Sequence, residues 1–214
     1  MVRLSRRHVV IPLLCALAWV LLSPLPAAAQ GDLTGLCALF LQQQQTELED
    51  FELAVEADET RLQVAEELFG LLDDLWRNDI AERLFYLGVK HRRDAADVNL
   101  QRSRRLLERQ QAAVEQYRLA CSVPTAQEGT SGDRPSIDEA NRRYLEADCE
   151  LRALDVTAFE VDLEYYQEVL EGARDLRQHD VASRQQVLFA EQDLQLTTQQ
   201  LEQAMQRWAR CRQS

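Results

Sequence analysis

The residues able to do chemistry are few, and their spacing suits none of the common reactions. The chain has 214 residues, with three histidines and five cysteines. His91 and His179, the two histidines beyond the N-terminal segment, have no His or Cys at metal-ligand spacing. No CxxC, HExxH or calcium-loop pattern occurs. Each histidine is expected to be a solvated turn residue. GxSxG elbows, phosphate-binding glycine loops and dinucleotide fingerprints are also missing. Paired carboxylates can work as acid and base or hold a cation. Here the acidic runs Glu47-Leu48-Glu49-Asp50 and Glu66-Glu67 mostly avoid the apolar rows and read as solvated faces. Asp58 differs: it falls on an apolar row, and is expected to meet an arginine across a helix interface or to face a polar lumen. The expectation is a protein that is not an enzyme and uses no cofactor and no metal.

The elements that carry these residues are helices. No proline occurs from Gln30 to Val123 or from Ser136 to Ser214, and Pro124 and Pro135 fall in one Pro/Gly-rich loop. Two breaker-poor stretches exclude β-sandwich and βαβ designs, whose strands need frequent turn signals. Leu41, Leu48, Val55, Leu62, Phe69 and Trp76 recur every seven residues, with Cys37, Phe51, Ala65 and Leu72 on a second row. Leu100, Leu107, Val114 and Cys121 repeat the pattern. So do Cys149, Val156, Leu163 and Leu170. In the last stretch Val187, Leu194, Leu201 and Trp208 alternate with Ala190, Thr197, Ala204 and Cys211, a large-then-small order that lets helices approach closely. Ser136-Ile137-Asp138-Glu139 is a helix-starting capping box. The predicted fold is all-α: two long antiparallel helical hairpins in a coiled-coil or four-helix arrangement. Residues 30–121 form the first hairpin, 122–135 a linker, and 136–214 the second.

Four cysteines lie on these seams. Cys37 and Cys121 are equidistant from Asp79, and Cys149 and Cys211 from Asp180. Helices leaving a turn at equal rise bring equidistant residues level, as a disulfide requires. The expected staples are therefore Cys37–Cys121 and Cys149–Cys211, with a pairing between hairpins as the rival. Asn78-Asp79 would cap the first turn, with Glu82 completing a box. Gly88 is an alternative site for that turn, and would move Cys121 level with Val55.

Arg3, Arg6 and Arg7, the apolar run Val9–Leu22, and Ala27-Ala28-Ala29 make residues 1–29 a secretory signal peptide. Ser5-Arg6-Arg7-His8-Val9-Val10 is compatible with either general or twin-arginine export. After cleavage no segment is long and apolar enough to span a membrane as a helix. The expected location is the periplasm, where disulfides persist, with outer-membrane association as an option. All 36 acidic residues follow the leader, and the chain carries a net charge of −12. That balance repels phosphates and excludes nucleic acid as a partner.

Val181-Ala182-Ser183-Arg184-Gln185-Gln186-Val187-Leu188-Phe189-Ala190-Glu191-Gln192-Asp193-Leu194 resembles the tip and return arm of the helical hairpins of TolC-family outer-membrane efflux proteins. Gly88-Val89-Lys90-His91-Arg92-Arg93-Asp94 is similar, with Val89 matching Val181 and Arg92 matching Arg184. Asp180 and His91 stand where the family has Gly and Ser, and Gln186 stands where it has an acid. No strand-like run that could build the family's β-barrel is found. The resemblance implies an efflux or secretion component that docks by its hairpin tips, through Gly88, Val89, Arg92, Val181, Ser183 and Arg184. The partner would be another envelope protein, or a second copy joined through helices. A soluble periplasmic scaffold or binding protein with a cleft between hairpins is the alternative.

Overall fold

The computed structural model describes residues 27–78, 82–122 and 136–213. Residues 1–26, most of the expected signal peptide, residues 79–81, where the first turn was expected, and residues 123–135 of the expected linker lie outside them. Four helices account for nearly all of the rest: α1 (Ala27–Arg77), α2 (Arg83–Cys121), α3 (Ile137–Gln178) and α4 (Arg184–Cys211). The Ala27-Ala28-Ala29 segment, expected to hold the cleavage site, belongs to α1. No strand occurs among the described residues, and none of their helices is long and apolar enough to cross a membrane.

The chain divides into two units, residues 1–43 and 44–214, with the boundary inside α1. The described part of the first unit is helical, with Leu36, Leu39 and Phe40 exposed and Cys37 disulfide-bonded. Everything below concerns the second unit.

Successive helices there run antiparallel, because contacts descend one helix as they ascend the next. Between α1 and α2, Gln110 Nε2 donates to Gln44 Oε1 (2.9 Å), Arg104 to Glu59 (2.9 Å) and the Tyr86 hydroxyl to Asp73 (3.2 Å). Between α2 and α3, Arg143 pairs with Glu115, Arg109 with Asp148, Arg102 with Asp155, Lys90 with Glu164 and Arg83 with Glu171. These partners are mostly half-exposed, so each contributes at most about 1 kcal/mol. Together they fix register along the whole length of α2. Between α3 and α4, Arg174 pairs with Glu191, and Cys149 bonds to Cys211 with Cα atoms 5.6 Å apart. The first turn therefore falls between Arg77 and Arg83. Helix α2 runs straight through Gly88, where an added Cβ would meet nothing within 4 Å. The alternative turn at Gly88 is excluded: neither a left-handed backbone nor a close neighbour calls for glycine there.

The core is thin. Leu170, Ala173 and Ala190 form a buried cluster, with Val169, Val187 and Leu194 against it. Small residues mark the close approaches: Ala190, Thr197 and Ala204 are the buried positions of α4. Gly172 lets Leu84 of α2 lie on α3, since a Cβ there would come within 3.2 Å of Leu84 Cδ2.

Candidate functional site

The turn joining α3 to α4 holds Val181, Ser183 and Arg184, and its backbone is satisfied from within. Asp180 takes a left-handed conformation (φ 57°), which Asp tolerates better than most non-glycine residues. Beyond it the amides of Val181 and Ala182 both donate to the Leu176 carbonyl (2.9 and 3.2 Å), closing the last turn of α3 in the manner of a Schellman motif. His179 Nδ1 lies 2.9 Å from the Asp175 carbonyl oxygen, and Arg177 reaches the Ala182 carbonyl. Ser183 then caps α4. Its hydroxyl accepts from the Gln186 amide (3.2 Å), and the Gln186 side chain accepts from the Ser183 amide (2.7 Å). Gln186 thus completes a reciprocal capping box. The Ser-x-x-Gln signature was present in the sequence, where Gln186 stood out only as a departure from the family's acid.

With its polar backbone groups bonded inward, this turn turns side chains outward. Ala182 is buried and anchors it, while Val181 is 71% exposed. Arg184 is exposed, and Leu188 and Phe189 follow as exposed apolar residues on the first turns of α4. The result is a fixed apolar and basic tip.

The second group of expected tip residues is elsewhere. Gly88, Val89 and Arg92 lie inside α2, level with Glu164 through Lys90, and so about 24 Å from the α3–α4 turn along the helix axis. Gly88 and Val89 are half-buried and only Arg92 is exposed. The likeness of this segment to a hairpin tip is corrected by the helix that contains it. His91 is corrected too: it is no solvated turn residue. Its Nε2 stands 2.8 Å from Asp162 and its ring stacks on Tyr165, with centroids 4.3 Å apart. Glu82 is itself the N-cap residue of α2 and makes no side-chain capping bond; Asp79, its partner in the expected box, lies outside the described residues.

Asp58 is buried, as its place on an apolar row suggested, but its partners differ from the expectation. Across the interface it accepts from the Ser103 hydroxyl (2.5 Å), and the arginine it meets, Arg61 (2.6 Å), is on its own helix. Sequence reading also missed an aromatic joint. Tyr86 lies on Trp76 and Phe69, and the Arg93 guanidinium covers the Phe69 ring at 4.2 Å. Burial, followed by Asp73 beside it, pushes the Tyr86 phenol above its ordinary value.

An open cleft of about 620 Å³ lies between the start of α2 and the facing parts of α3 and α4, lined by Arg83, Leu170, Glu171, Arg174, Asp175 and Leu194. Its arginines are already paired, Arg83 with Glu171 and Arg174 with Glu191. Among the described residues no group of three His, Cys, Asp or Glu side chains stands together as a metal site. All four described cysteines are disulfide-bonded. No protein family, curated protein or solved structure matches the chain.

Proposed function

We propose that this chain is an exported, non-enzymatic protein of the cell envelope that works by helix–helix recognition. In this reading α1–α2 and α3–α4 act as two hairpins, and the α3–α4 tip docks onto another envelope protein, as a TolC-like transport component would. The single observation that carries the reading is the tip itself, with Val181 and Arg184 exposed on a turn whose capping bonds are complete. Such a turn gains nothing in stability from an exposed valine and arginine, and a docking partner supplies a reason for both. Four disulfide-bonded cysteines accord with an oxidising compartment.

A ligand-binding scaffold is the second reading, favoured by the cleft at Arg83 and Arg174. Its charges being mutually paired, a ligand would have to displace existing ion pairs, which makes the reading weaker.

The test is Val181→Ser with Arg184→Glu, followed by circular dichroism and by partner capture from intact envelopes. Docking by the tip predicts full helicity and lost capture. Arg92→Glu serves as a control that leaves capture intact, since Arg92 stands far from the turn. Capture that survives the tip variant but fails with Arg83→Ala would transfer the role to the cleft.

A further inference from the structure

Helix α4 is held on α3 in two unequal halves. Near the turn the seam is well filled. Leu170, Ala173 and Ala190 are buried together, with Val169, Val187 and Leu194 against them, and Arg174 pairs with Glu191. Ser183 and Gln186 close the first turn of α4 reciprocally. Over residues 195–211 the hold is weaker. The buried residues of α4 there are Thr197 and Ala204, and Leu201 and Trp208 are half-buried. Leu196 and Met205 are exposed, as are Gln199, Gln203 and Gln206. Alanine and threonine bury little apolar area, so contact alone stabilises this half little. A detached helix of about 17 residues that includes Thr197-Thr198 is also marginal in water.

The Cys149–Cys211 bond ties down the far end of that half, and both cysteines are half-buried rather than enclosed in the core. An apolar row of α3 lies beneath. At one end of the row Cys149 bonds to α4, and at the other Leu170 packs with Ala190 of α4. Val156 and Leu163 stand between them at seven-residue intervals and so share that face. Val156 is only 5% exposed. With residue 149 level with 211 in an antiparallel pair, Val156 stands level with Ala204 and Leu163 with Thr197.

Tying the far end limits what this half can do. While the bond is intact, lifting the helix off α3 forces its residues into a loop closed at Leu194 and at Cys211. Breaking the bond removes that constraint. In the chain-entropy model, a loop of about 15 residues corresponds to roughly a hundredfold in the opening equilibrium. The half nearer the turn needs no such tie, because its cluster, ion pair and capping box hold it.

We infer that Cys149–Cys211 is a redox latch on the second half of α4. The reductant is a dithiol, small or carried by a protein, which supplies two electrons. One of its thiolates attacks a sulfur of the bond, and the other cysteine leaves as a thiolate and takes up a proton. The second thiolate of the reductant then attacks the mixed disulfide. The remaining cysteine leaves as a thiol, and the reductant departs as a disulfide. Residues 195–211 are then released from α3 and uncover Val156 and Leu163, while the turn and the buried cluster stay in place. Reoxidation seats the helix again. Cys211 lies about 40 Å along α4 from Arg184, so the latch does not rest on tip docking and its failure leaves that reading untouched.

Hydrogen exchange read by mass spectrometry tests the latch on the full chain. The unmodified oxidised chain is compared with Cys149→Ser plus Cys211→Ser, which keeps Cys37 and Cys121. Amides of residues 197–211 are expected to exchange roughly a hundredfold faster in the variant, with those of residues 169–194 unchanged. A second comparison avoids altering the latch itself. In a chain with Cys37→Ser plus Cys121→Ser, dithiothreitol breaks this bond alone, since all four described cysteines are disulfide-bonded in the unmodified chain. The same local speeding is expected there, with recovery on reoxidation. Protection of residues 197–211 that survives loss of the bond overturns the proposal. So does loss of protection that extends through residues 169–194, which would mean that the two halves open as one. A bond that resists dithiothreitol until the chain is unfolded in urea overturns it as well.

Discussion

The α1–α2 joint and the α3–α4 joint reach similar antiparallel packing by opposite chemistry. Between α1 and α2 the fillers are large and shape-specific: Tyr86 stacks on Trp76 and meets Phe69 at a tilt, Arg93 covers the Phe69 ring, and a buried Asp58–Ser103 pair sits within the seam. Between α3 and α4 there are no aromatic fillers in the buried cluster, and small residues share the seam with Leu170 and Leu194. Ala173, Ala190, Thr197 and Ala204 are buried, with Ala204 only 2% exposed, and the Cys149–Cys211 bond closes the far end. Helix starts differ as well. Ser183 opens α4 with a full capping box, while Glu82 opens α2 with no side-chain cap. An interface filled by aromatic rings gains area and specific geometry. One lined largely by alanine and threonine buries less apolar surface per residue, and a covalent link and a good cap make up for that.

The largest test of the contrast is covalent. Cys149→Ala with Cys211→Ala should lower stability by about 2–4 kcal/mol in urea unfolding. The loss should be concentrated in α3–α4 amides by hydrogen exchange. Non-reducing peptide mapping of the unmodified chain should find the Cys149–Cys211 cross-link, and the same map checks whether Cys37 is joined to Cys121. A stability change shared equally by α1–α2 amides would show that the two joints unfold as one.

Next in size is the buried pair of the other joint. Asp58→Ala should cost about 1–3 kcal/mol, because it leaves the Ser103 hydroxyl without its acceptor. Asp58→Ala with Ser103→Ala should recover part of that loss, measured as a double-mutant cycle. Additive losses would mean that Asp58 acts through Arg61 alone.

The caps give a smaller and signed test. Ser183→Ala should cost about 1 kcal/mol. Glu82→Ser should gain a few tenths to about 1 kcal/mol, by supplying the cap that α2 does without. Shifts of opposite sign in thermal midpoint would support the contrast, and no gain at position 82 would break it.

Alkaline pH gives the smallest effect. The hydrogen bond to Glu164 is the main cause holding the Lys90 ammonium above the ordinary lysine value. The folded state thus binds this proton more tightly than the unfolded chain does. The resulting stability is complete below the ordinary lysine value and is lost as pH rises through the raised one. Tyr86, raised by burial and by Asp73, has the same sign. Stability should therefore fall on going above the ordinary tyrosine and lysine values, with a shallower fall in Tyr86→Phe and in Lys90→Met.

Much of the helical layout was legible without coordinates. The seven-residue rows of Leu41–Trp76 and Val187–Trp208, the cap at Ser136 and the level placement of Cys149 and Cys211 are local or periodic features. Periodicity says which residues share a face of one helix. It cannot say which faces find a neighbour. The same 3–4 spacing describes the row at Phe69 and Trp76, packed on α2, and the stripe from Val64 to Leu75, left in solvent. Gly88-Val89-x-x-Arg92 and the Val181–Arg184 turn look alike as strings. They part company because one is embedded in α2, paired through Lys90 to α3, while the other follows a left-handed Asp180.

What the sequence determined by itself was helix, seam and cap, since each depends on residues within a few turns of one another. Only the tertiary structure decided that His91 leans on Tyr165 and Asp162, that Asp58 meets Ser103, and that α1 and α4 keep an outer face uncovered. Those outcomes depend on which helix lies beside which and at what level. That is set by the summed packing of residues far apart in the chain, and no short pattern records it.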